Sequence, residues 1–162
     1  MAARLRFLNP PTLSVPPSYS QVVEITSPGR LIYIAGQLAL DGDGKLVGSG
    51  DFRAQAVRTF ENLKLALAAV GAGLEDVVKV NNYLVDISHL PIFREIRESY
   101  FGRRELPAST TLQISSLARP GALLEVEAVA MLASKRTRSK PARPKPSSRR
   151  SRPVKRAGRK RR

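Results

Sequence analysis

The sequence predicts an α+β fold, an antiparallel-rich sheet with two helices packed on one face, and three observations predict it. Apolar residues recur at alternate positions in several short β-rich runs. That period lengthens to about three and a half over two stretches only, one beginning at Asp51 and one ending at Gly102. The order of these stretches is strand-hairpin, helix, strand, helix, strand, strand, which places both helices against one side of a single sheet.

In chain order, Leu5 to Pro17 contains Pro10, Pro11, Pro16 and Pro17, which forbid a helix and leave an arm with room for one short edge strand at Leu5-Arg6-Phe7-Leu8. Val22-Val23-Glu24-Ile25 and Leu31-Ile32-Tyr33-Ile34-Ala35 are strand-like, and the Ser27-Pro28-Gly29-Arg30 between them reads as a hairpin turn. Asp41-Gly42-Asp43-Gly44 is a second turn, leading through Leu46-Val47 to Gly48-Ser49-Gly50. Phe52, Ala56, Phe60, Leu63, Leu67 and Val70 then share one helical face, with Asp51 as N-cap and Gly71 as stop. A short turn at Leu74-Glu75-Asp76 leads into a long strand from Val77 to Ile87. Ile92, Phe93, Ile96, Tyr100 and Phe101 set the second helix, ended by Gly102, and two strands follow, Leu106 to Leu112 and Leu123 to Ala130.

The 162 residues suffice for about one domain. No cysteine is present, which excludes a disulfide framework and a thiol nucleophile and fits a reducing compartment; a single isolated His89, expected in a solvent-exposed connection, argues against a zinc site. After Met1-Ala2-Ala3-Arg4-Leu5-Arg6 there is no apolar run of the kind a signal peptide needs, and no stretch approaches the ~20 apolar residues of a membrane span. A soluble cytoplasmic protein with no membrane partner is the expectation.

The net charge of +15 is not spread over the chain. Residues 1–133 hold 13 Lys+Arg and 13 Asp+Glu, whereas residues 134–162 hold 15 Lys+Arg and no acid. The tail has four prolines, no aromatic residue, and basic clusters at Arg149-Arg150 and Arg159-Lys160-Arg161-Arg162. Such a segment cannot bury enough apolar surface to offset chain entropy, so the expected division is a folded domain over 1–133 and a disordered basic tail over 134–162. A flexible Lys/Arg run of this kind binds phosphate by counterion release, without base readout, so non-specific nucleic acid is a candidate partner; the bland alternative is a solvated tail.

Several separated pieces, in order, resemble the Rid family of reactive intermediate deaminases (YjgF-like): Tyr19-Ser20-Gln21, Tyr33 to Leu38, Gln55-Ala56-Val57 with Glu61-Asn62-Leu63, Gly71 to Val80, Tyr83-Leu84-Val85-Asp86, Tyr100-Phe101, Leu106 to Leu112 and Leu123 to Ala130. The resemblance covers about Tyr19 to Met131. It implies a chorismate-mutase-like fold, a homotrimer with a small-molecule cleft at each subunit interface, no cofactor, and hydrolysis of enamines and imines to a 2-keto acid and ammonia. A trimer would also cover apolar positions of the sheet face that the helices leave open, Val78, Val80 and Leu84 or their neighbours.

The resemblance also implies site residues. Glu125 matches the family's glutamate, Tyr19 its cleft tyrosine and Gly36 its backbone-contributing glycine. The arginine that binds the substrate carboxylate is replaced by Ser109, with Thr111 beside it. A guanidinium offers two parallel charge-assisted hydrogen bonds where serine offers one neutral donor, a loss of ~2–4 kcal/mol, or ~30- to ~1000-fold in binding. Arg94, where many relatives carry asparagine, could bring a guanidinium from the second helix, or could lie on that helix's solvated face.

Structural alternatives stand beside these roles. Glu125 and Glu127 alternate on one strand, and one could form an ion pair with Arg97 or Arg119. Tyr19 could be a half-buried aromatic beside the proline arm, Ser109 and Thr111 are ordinary strand residues with no base to make a nucleophile, and Gly36 could serve a purely structural close approach. Two functional readings result. One is a Rid-type deaminase whose activity is weak, altered or lost because of Ser109; the other is a non-enzymatic metabolite-binding trimer tethered to nucleic acid by its tail.

Overall fold

The computed structural model describes residues 5–13, 16–26 and 29–133. The tail residues Arg149, Arg150, Arg159, Lys160, Arg161 and Arg162 lie outside them. Among the described residues ten elements follow the chain: strands β1 (Leu5–Leu8), β2 (Val22–Ile25) and β3 (Gly29–Gln37), helix α1 (Phe52–Ala68), a 3₁₀ turn at Leu74–Asp76, strand β4 (Val77–Leu84), a 3₁₀ turn at Ile87–His89, helix α2 (Leu90–Phe101), and strands β5 (Ala108–Gln113) and β6 (Leu124–Ala133). The main sheet has the order β3-β6-β4-β5, and β1 and β2 form a separate two-stranded ribbon.

Both helices cover one face of the main sheet, and the core lies between the layers. Phe52, Ala56, Phe60, Leu63 and Leu67 of α1 and Phe93 and Ile96 of α2 meet Val80, Leu84, Leu124, Val126, Ala128 and Ala130 from the sheet. Alternation along β6 makes this possible: 124, 126, 128 and 130 are buried, while 125, 127 and 129 face the other way. Asp51 caps α1 as its sequence position suggests, its carboxylate accepting from the Ala54 amide at 3.0 Å. Buried Gln55 fastens α1 to two loops, donating to the carbonyls of Gly48 (3.1 Å) and Gly121 (2.9 Å) and accepting from the Leu123 amide (2.8 Å).

Three expectations need correction. Among the described residues β2 and β3 do not pair as a hairpin. The arm strand β1 takes β2 in a four-residue antiparallel ladder, with Arg6 opposite Glu24 and their side chains joined at 2.6 Å, while β3 pairs with β6. The sheet is antiparallel-rich as expected, β3-β6 and β6-β4 being antiparallel; its one parallel pair arises because α2 carries the chain back across the sheet and β5 then runs alongside β4. β4 stops at Leu84, since the Asp86 carboxylate accepts from the Ser88 amide at 2.8 Å and turns the chain into α2. Val80 and Leu84 are buried in the core under the helices. The uncovered face carries Leu31, Tyr33, Lys79, Asn81, Tyr83 and Leu112 instead, with Tyr33 76% exposed.

Candidate functional site

At the β5 edge of the sheet, α2 and the segment before β2 enclose a pocket of about 170 Å³. Ser109 and Thr111, two positions apart on β5, present their hydroxyls to the helix side, where buried Asn82 of β4 donates to both at 3.1 Å and to the Thr110 carbonyl at 2.8 Å. On α2, Arg94 and Arg97 are spaced i, i+3 and so share a face, and both line this pocket together with Tyr19.

Arg97 is the best-positioned group there. It is only 6% exposed. Its guanidinium donates to Ser109 Oγ at 2.9 Å and to the Ser18 carbonyl, and lies 6.0 Å from the centre of the Phe93 ring. No carboxylate answers it: the ion pairs among the described residues are Arg6–Glu24, Arg53–Glu95, Lys64–Glu61 and Arg103–Glu98. Burial, and then the charge of Arg94, hold its pKa below the ordinary arginine value, yet a guanidinium keeps its proton at neutral pH. A buried cation with donors to spare and no acid is an anion receptor in chemical terms. From sequence alone Arg97 stands only as an ion-pair partner for a strand glutamate. The available signal was its spacing from Arg94.

The other half of the expected site lies on the opposite face. Gly36 and Glu125 meet there, since a Cβ at position 36 would overlap the Glu125 carboxylate, so glycine is required for that carboxylate to lie against β3. Burial, and then the charge of Glu127, raise the Glu125 carboxyl above its ordinary pKa. Glu127 accepts from Asn81 at 2.6 Å and from the Tyr83 hydroxyl at 3.0 Å. That hydrogen bond to Glu127 is also the main cause of the upward shift of the Tyr83 hydroxyl. Beside these groups a second cavity, about 550 Å³, is lined by Tyr33, Lys79, Asn81 and Glu127 on the open face.

The structure therefore brings Tyr19, Arg94, Ser109 and Thr111 together, and separately Gly36 with Glu125, on opposite faces of the sheet. Neither strand glutamate forms the ion pair considered for it. Arg97 points to Ser109 and Ser18, and Arg119 donates to the Gly44 carbonyl at 2.6 Å. His89 is half-buried, not solvent-exposed, because its ring stacks on Phe52 at 4.3 Å. Among the described residues no helix is long and apolar enough to cross a membrane.

Residues 12–132 match the Endoribonuclease L-PSP family. The chain is 37% identical over 112 residues to a RutC family protein of Pyrococcus abyssi, covering 69% of this chain and 84% of that one. It is also 37% identical over 114 residues to the 2-iminobutanoate/2-iminopropanoate deaminase of Mus musculus, covering 70% of this chain and 80% of the other. The crystal structure of YyfB, a Rid-family protein from Yersinia pestis, superposes with a TM-score of 0.72 at 36% identity, over 79% of this chain and 98% of that one.

Proposed function

The chain belongs to the Endoribonuclease L-PSP (YjgF/Rid) family, and from that premise we propose that it binds short 2-imino acids in clefts between subunits and hydrolyses them to 2-keto acids and ammonia. The reading rests on one observation: an acid-free guanidinium, that of Arg97, stands in hydrogen-bond contact with the serine that occupies the family's arginine position. In this reading Arg97 binds the substrate carboxylate from α2. Arg94 assists from the same helix face, and Tyr19, Ser109 and Thr111 shape the pocket.

The two half-sites require a second subunit. A trimer in which the open sheet face of one subunit lies beside the α2–β5 edge of the next would bring Glu125 to the imine held by Arg97, and would cover Leu31, Tyr33 and Leu112. The raised carboxyl of Glu125 suits a general acid. It gives its proton to the imine nitrogen as water adds to the carbon, and its carboxylate takes the proton the water sheds; that proton passes to the amine nitrogen of the carbinolamine, so ammonia leaves as the C–N bond breaks, and the hydroxyl proton returns to the carboxylate as the C=O bond forms. Gly36 allows the carboxyl to sit against the backbone.

The test is a coupled assay with freshly generated 2-iminopropanoate and 2-iminobutanoate. Wild-type turnover should fall ~10²- to ~10⁴-fold in Glu125→Gln. Turnover unaffected by that change would remove Glu125 from the mechanism. Carboxylate binding without any wild-type turnover would favour the second reading, a metabolite-binding trimer that its tail tethers to nucleic acid. The 15 Lys+Arg and absent acids of residues 134–162 support that reading. Its signature is DNA binding that weakens steeply with salt and disappears when the tail is removed.

A further inference from the structure

The pocket at the α2–β5 edge holds two guanidinium groups where binding one carboxylate needs one. Arg94 and Arg97 stand one helical turn apart and both line the 170 Å³ space. The rest of its wall is Ser18, Tyr19, Ser109 and Thr111 with apolar side chains of Ile87, Leu90 and Phe93, so no acidic residue takes part. Their roles differ by depth. Arg97 is buried and fixed by Ser109 and the Ser18 carbonyl, whereas Arg94 is exposed and has no hydrogen bond or ion pair among the described residues. The arginines of α1 behave otherwise: exposed Arg53 pairs with Glu95 at 2.9 Å, and half-buried Arg58 donates to the Leu40 carbonyl at 2.9 Å.

Two like charges beside a partly apolar wall repel each other, and that repulsion is relieved when each receives its own anionic group. A monocarboxylate satisfies Arg97 and leaves Arg94 unanswered. We propose that the preferred ligand is doubly anionic, a short-chain 2-imino or 2-keto dicarboxylic acid with its 2-position carboxylate on Arg97 and its distal carboxylate on Arg94. The inference rests on the proposed function and narrows it to imines derived from acidic amino acids. The class of reaction that would supply such a substrate is two-electron oxidation at the α-carbon of an acidic amino acid, or α,β-elimination from one that carries a β leaving group.

Calorimetric titration of the full-length protein with 2-oxobutanoate, 2-oxoglutarate and inorganic phosphate, at one fixed ionic strength, tests it. In wild type 2-oxoglutarate should bind at least ~10-fold more tightly than 2-oxobutanoate, the yield of one further charge-assisted contact, and more tightly than phosphate. In Arg94→Gln the ratio of the two keto acids should fall to within about twofold, with circular dichroism reporting an unchanged fold. Equal affinity of wild type for the two keto acids, a preference that survives Arg94→Gln, or phosphate binding as tightly as 2-oxoglutarate would each overturn this inference while leaving the carboxylate-binding pocket standing. Failure of both keto acids to bind would overturn the proposed function itself, and this inference with it.

Discussion

Replacing Arg97 by methionine should separate stability from function. The change removes two charged hydrogen bonds, to Ser109 Oγ and to the Ser18 carbonyl, worth about 1.5–3 kcal/mol each and so about 3–6 kcal/mol together. It also removes a guanidinium buried without an acid, whose effective desolvation cost is several kcal/mol. The opposing quantities are of similar size, and a methionine thioether can keep packing on Phe93 where the guanidinium lay. Folding stability from urea denaturation should therefore change by no more than about 1 kcal/mol. Affinity for 2-oxobutanoate should fall by the same kind of contact, about 1.5–3 kcal/mol or ~10- to ~150-fold. A loss of more than about 3 kcal/mol in stability with carboxylate affinity intact would refute the argument and make Arg97 a structural brace between α2, β5 and the segment before β2.

Gln55→Leu should cost about 3 kcal/mol or more in the same urea experiment, because the Gly48 and Gly121 carbonyls and the Leu123 amide would each lose a buried partner worth ~1–3 kcal/mol; a cost under about 1 kcal/mol would show that water replaces the amide. Glu125→Gln should raise thermal stability at alkaline pH and not at acid pH. The folded-state carboxyl is raised, first by burial and then by Glu127, so its stabilising contribution is complete below the unfolded pKa and is lost as pH rises through the folded one. Melting temperatures of both proteins at about pH 4 and about pH 8 check this. A Glu125→Gln protein less stable than wild type at the higher pH would show that the carboxylate is favourably paired.

The elements that were legible in the sequence are those whose one face is buried. Phe52, Ala56, Phe60, Leu63 and Leu67 form the α1 stripe read from their spacing, and the alternation of Leu124 to Ala130 is the alternation between core and open face. Pairing was not legible to the same degree. Alternation assigns a residue to a face but not a strand to a neighbour, so nothing in Val22–Ile25 distinguishes β1 from β3 as its partner. The direction of β5 depends on where α2 returns the chain. The burial of His89 is not legible locally, because its neighbours Ser88 and Leu90 are uninformative and the ring that covers it belongs to Phe52, the first residue of α1.

The site shows the same limit. Reading position 109 alone, serine for arginine is a deletion of the carboxylate anchor, and the residue proposed to compensate was Arg94. In the proposed reading the unit that matters is the volume in front of β5, and α2 reaches that volume from the side with Arg97, whose tip contacts Ser109. A small residue at 109 is what leaves room for that guanidinium. A second arginine on β5 would crowd it with like charge and no acid to separate them. The serine and the arginine are thus one feature distributed over two elements, twelve residues apart in sequence and 2.9 Å apart in space. Carboxylate recognition can therefore persist in a chain whose β5 sequence, read alone, lacks its anchor, and position 97 has to be read together with position 109 to decide it.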